Sequence, residues 1–94
     1  MKQLPRGLAC YRRTRDFTET TVPTGLRNRH ATRPGVWARI SVLEGQLRYR
    51  ILEPRAEEHV LTPDRAGIVE PSVPHEVEPL GAVRFFVEFL RKSE

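Results

Sequence analysis

Residues 36–52 read VWARISVLEGQLRYRIL. Val36, Ala38, Ile40 and Val42 alternate with Trp37, Arg39, Ser41 and Leu43. After the LEGQ segment, Leu47, Tyr49 and Ile51 alternate with Arg48 and Arg50. A period of two sends successive side chains to opposite faces of a strand. Gly45 sits between the two runs, so the stretch predicts a β-hairpin that turns at residues 43–46.

The flanks continue in the same style. TTVPTG at 20–25 predicts a strand tip entering a turn, and TRPG at 32–35 predicts a turn around Pro34 and Gly35. EPRAEE predicts a loop, HVLT a short strand and PDRAG a turn. LGA at 80–82 predicts a further turn, and VRFFVEFL at 83–90 a closing apolar strand. Eight prolines and six glycines are spread along the chain, and helix signals are almost absent. Short strands separated by turn chemistry predict an all-β sandwich or antiparallel β-barrel. The predicted core is Ile40, Val42, Leu47, Tyr49, Ile51, Val69, Val77, Phe85, Val87 and Phe89.

Ninety-four residues make a single domain, 1–94, with a thin core that a homodimer would relieve. One cysteine, Cys10, excludes an internal disulfide framework and fits a reducing cytoplasm. No apolar run is long enough to span a membrane, and the N-terminal residues lack the apolar stretch of a signal peptide. Residues 1–50 hold 11 Lys/Arg against 3 Asp/Glu, and residues 51–94 hold 5 against 9. The arginines are scattered among strand-like residues rather than striped along a helix, so the basic half does not read as a nucleic-acid surface. If the two halves share one sheet system, their charges offset each other.

GIVEPSVPHEVEP, residues 67–79, breaks a strand with two prolines and then presents His75. Proline donates nothing to a ladder, so such a bend belongs at a bulge or edge. VLEGQLRY and GIVEPSVPHEVEP resemble the end of the first cupin motif and the second cupin motif. Over nearly the whole chain, LPRGLACYRRT, FTETTVPTGL, RPGVWARISVLEG, IVEPSVPHEVEPLG and RFFVEF resemble the TehB/YeaR-like small cupin family, associated with tellurite resistance. The resemblance implies a jelly-roll barrel (a double-stranded β-helix) with His75 directed into its mouth.

The resemblance also implies a metal site, and here the chain departs from the pattern. His30 fits the first motif histidine, but Thr32 stands at the second histidine and Ala38 at the glutamate. The remaining candidate ligands for a divalent metal (Zn, Fe, Ni or Mn) are His30, His75 and Glu88, with Glu70 as the alternative carboxylate. The third histidine, His59, reads as solvated. Arg39, Trp37 and Tyr49 are candidate ligand contacts, each with an ordinary reading as well: ion pairing for Arg39, packing for Trp37 and Tyr49. Arg27, Arg29 and Arg39 would give the mouth a charge suited to an anion.

Three functions follow. One is binding of a small molecule or anion, with or without metal, in a stress response of the tellurite or oxyanion type. Another is a metal-dependent enzyme, dioxygenase-like or isomerase-like, against which the two lost motif positions weigh. The third is a protein-interaction module without catalysis.

Overall fold

The alternation in the quoted stretch does make a strand, but one continuous strand rather than a hairpin. The computed structural model describes residues 1–93. Its elements are β1 (Leu8–Arg13), β2 (Phe17–Thr18), α1 (Thr24–Arg27), β3 (Trp37–Ile51), β4 (Glu57–Leu61), β5 (Gly67–Val69) and β6 (His75–Lys92). β3 pairs antiparallel with β6 along its length, from Trp37↔Leu90 to Ile51↔His75. The expected partners, 36–43 and 46–52, therefore both pair with β6 and not with each other.

The physical reason lies at the corner. Gly45 has φ +80°, and a Cβ placed on it would fall 2.0 Å from the carbonyl oxygen of Ala82. Gly81 has φ +81° beside it. The register shifts between Val42 and Glu44 and again between Gly45 and Leu47. The two turn signals, LEGQ and LGA, thus face each other and bend one long ribbon through bulges.

The sheet order is β1-β6-β3-β4, with β2 also on β6 and β5 also on β3. Among the described residues β1 and β4 do not pair with each other, so the sheet is open. The class is all-β and antiparallel, with α1 a helix of four residues. No helix among the described residues is long and apolar enough to cross a membrane.

Nine of the ten expected core residues are buried, and Phe89 is partly buried against them. Phe17, Val22, Ala38, Leu61 and Val83 complete the cluster. On the other face Arg48 and Arg50 meet Glu58, Glu76 and Glu78 across the strands, with Arg48 Nη1 2.6 Å from Glu78 Oε1. This is where charges of the basic half and the acidic half offset each other.

Candidate functional site

The site begins where β5 ends. Pro71 and Pro74 lack the N–H that a ladder needs, so pairing stops after Val69 and resumes at His75. Ser72 takes φ 64° and the Val73 N–H donates to Glu70 O at 3.3 Å, which closes the bend. His75 is 3% exposed.

His30 reaches His75 through a two-residue backbone bridge. His30 N–H donates to His75 O at 3.0 Å, and His75 N–H donates to His30 O at 2.9 Å. The ring centroids lie 4.0 Å apart with the planes at 56°. Each Nδ1 is 2.9 Å from a carbonyl two residues earlier, Asn28 O for His30 and Val73 O for His75. A carbonyl only accepts, so in each ring Nδ1 carries the proton. The neutral ring then offers its lone pair at Nε2. Burial, with help from His30, pulls the His75 pKa down to about 4 against the opposing bond to Val73 O, so His75 is neutral at pH 7.

The two rings wall a cavity of about 190 Å³ whose other walls include Ala38, Ile40, Val77, Phe85 and Val87. Tyr49 packs behind His75, edge-on with centroids 5.8 Å apart. Its hydroxyl donates to Ile68 O at 2.9 Å, and burial pushes its pKa up. Tyr49 therefore buttresses His75 from within the core.

Thr32 is committed elsewhere. Its hydroxyl donates to Val36 O at 2.7 Å and accepts from Ser72 N–H at 3.3 Å. It ties the loop after His30 to the bend before His75. Thr32→Val, which removes both bonds at nearly constant volume, is expected to lower stability by about 1–2 kcal/mol in urea unfolding. An unchanged midpoint would show that the tie contributes nothing.

The carboxylates do not join the histidines. Glu88 lies opposite Arg39 in the ladder, with its Oε1 3.0 Å from both Nε and Nη2 of Arg39. Strand alternation puts this pair, and Trp37, on the side away from Ala38, Val87 and Phe89. Glu70 instead faces Lys2, at 3.3 Å. Arg29 pairs with Glu53, and Arg27 is exposed on α1. His59, expected to be solvated, is instead largely covered, held between Glu57 at 3.0 Å and Arg65 at 2.9 Å.

No group of three or more His, Cys, Asp or Glu side chains that could hold a metal forms among the described residues. Catalytic zinc sites present three protein ligands. Two imidazoles over apolar walls fall short of that, so these residues do not by themselves fit a resident divalent metal. They provide a buried imidazole, His75, and a half-buried one, His30, at the wall of a small apolar chamber.

Sequence reasoning passed over Arg12 and Arg33. Both line recesses outside the chamber, beside Phe89. Arg12 comes from the edge strand β1, and no local pattern sets it apart from Arg13.

The TehB-like domain model matches residues 12–87. The probable S-adenosyl-L-methionine-dependent methyltransferase TehB of Haemophilus influenzae is 32% identical over 77 residues, which is 78% of this chain and 27% of TehB. The uncharacterized protein YeaR of Escherichia coli (strain K12) is 36% identical over 73 residues, 74% of this chain and 59% of YeaR. The chain thus spans about a quarter of TehB and under two thirds of YeaR. The crystal structure of TehB from Haemophilus influenzae superposes with a TM-score of 0.84 at 29% identity, covering 93% of this chain and 32% of TehB. A solved Escherichia coli (strain K12) protein gives 0.88 at 25% identity with 100% of both chains covered. The structure of FeII HppE gives 0.56 at 18% identity over 67% of this chain and 34% of that one, a likeness of fold.

Proposed function

This chain belongs to the TehB-like domain family, and from that premise we propose that it is a small cupin-type protein that takes a small molecule or anion into the His30–His75 cavity, in a stress role of the tellurite or oxyanion type. One observation carries the reading. Both Nδ1 atoms are spent on carbonyls, and neither Nε2 has a hydrogen-bond partner among the described residues. Neither Nε2 is sealed from solvent, so water or a group on a ligand can reach each of them from the cavity. With His75 neutral, the pair accepts a proton or a hydrogen bond rather than attracting the anion by charge.

A metal-dependent cupin enzyme, with Zn, Fe, Ni or Mn at His30 and His75, needs donors beyond two imidazoles. An interaction module draws support from the lengths: a region like this chain is about a quarter of TehB.

The test is a thermal-shift screen of small molecules and oxyanions, tellurite included, followed by calorimetry on the hits. His75→Ala is expected to weaken a hit by at least about tenfold, the scale of one lost buried hydrogen bond, with the circular dichroism spectrum unchanged. Equal affinity in parent and variant would move the site elsewhere. A screen without hits would favour the interaction module.

A further inference from the structure

We propose that the ligand is a small ring-bearing carboxylic acid, its apolar body in the chamber and its carboxylate at Arg12 and Arg33 on the rim. This rests on the cavity reading above and names the class of molecule that fits it.

Size sets the first limit. An apolar cavity of about 150 Å³ accepts a benzene ring. The chamber, about 190 Å³, takes one six-membered ring and little more. Nucleotides and peptides are excluded from it.

Continuity sets the second. Leu26, His30, Val87 and Phe89 border the chamber and also an outer groove of about 390 Å³ that reaches Arg12. Ala31, Thr32 and Phe89 border the chamber and also a second recess of about 310 Å³ that holds Arg12 and Arg33. The chamber and the recesses thus share walls, and a ring in the chamber sits against the same residues that border Arg12 and Arg33.

Charge sets the third. Most arginines on the sheet are answered: Arg39 by Glu88, Arg48 and Arg50 by Glu78, Arg84 by Asp16 and Glu44. Arg6, Arg12, Arg15, Arg27, Arg33, Arg55 and Arg91 have no acidic partner among the described residues, and of these Arg12 and Arg33 line the recesses that share walls with the chamber. No Asp or Glu lines the chamber or either recess. Guanidinium groups match a carboxylate with paired N–H donors. A bare oxyanion would use the arginines and leave the apolar chamber unfilled. A neutral ring would fill the chamber and leave the arginines unanswered.

Calorimetry with three probes tests this: benzoate, benzyl alcohol and inorganic phosphate. Benzoate is expected to bind about five- to tenfold more tightly than benzyl alcohol, and the double variant Arg12→Gln/Arg33→Gln to erase that difference. Both arginines are exposed, so the variant keeps the fold. Benzyl alcohol binding as well as benzoate, unaffected by the double variant, would overturn the inference while the cavity reading stood. Phosphate binding without benzoate would overturn it in favour of a bare oxyanion. If none of the three binds, the inference falls, and the cavity reading is decided separately by the His75→Ala comparison.

Discussion

Gly45→Ala is expected to lower the unfolding free energy by about 3–5 kcal/mol, the upper range for a single substitution. Two costs combine at this position. The backbone stands at φ +80°, where an L side chain loses about 1–2 kcal/mol. The new Cβ would also lie 2.0 Å from Ala82 O and 3.0 Å from Val83 Cα. Both are backbone atoms of β6, so no rotamer change relieves the overlap, and the ribbon's corner must open. Gly81 is the internal control. Its φ is +81°, but an added Cβ there meets nothing within 4 Å. Gly81→Ala is therefore expected to cost only about 1–2 kcal/mol. For a domain of this size each kcal/mol moves the melting temperature by about 4–8 °C, so the two variants should separate clearly in a thermal melt. Equal melting temperatures would show that close approach at the corner is not what requires glycine at 45.

Acidification from pH 6.5 to 4 is expected to remove about 3 kcal/mol of stability through His75 alone. In the native state burial lowers its pKa from 6.5 to about 4. As pH falls below 6.5 the unfolded chain takes up a proton that the native chain refuses. The neutral ring's contribution is thus complete above pH 6.5 and gone below about 4. The gap, at 1.36 kcal/mol per pH unit, sets the size. Glu19, Glu57 and Glu78 also have lowered pKa values, and they add losses of their own below pH 4.5. Those losses are common to the parent and His75→Gln. The difference between the two in urea unfolding, followed from pH 7 to 4, isolates the histidine. A difference that stays flat across that window would mean that His75 titrates alike in both states.

The alternating runs at 36–43, 46–52 and 83–90 are legible in the sequence because a two-residue period is a local signal, and the structure joins the first two in β3 and takes the third into the longer β6. The break at 71–74 is legible because a missing N–H needs no partner to be noticed. The pairing of the strands is not local. A glycine between two alternating runs looks the same whether the chain reverses there or bends, and only Ala82 O against Gly45 decides it. Glu88 shows another limit. Its alternation with Val87 and Phe89 places it on their opposite face, whereas the cupin pattern asks for a carboxylate beside the histidines. Arg39, its ladder partner, explains the charge without a metal. The joining of His30 to His75 rests on a backbone bridge that no residue type announces. Arg12 and Arg33 reach the rim from an edge strand and a loop, where neither period nor spacing marks a side chain's surroundings.

The ribbon of β3 and β6 also orders events in time. Its pairs nearest the connecting segment, Ile51 with His75, close the shortest loop, whereas Trp37 with Leu90 closes the longest. Zipping from the first toward the second is the entropically cheaper order. On that order the His75 end assembles early, while Ala38, Val87 and Phe89, which wall the chamber, arrive late. A half-zipped chain has His75 in the ladder but neither the His30 bridge nor the chamber. Any occupant of the chamber consequently waits on the last pairs to form, and in the reverse direction it must depart before the ribbon can come apart. Occupancy therefore slows unfolding more than it speeds folding.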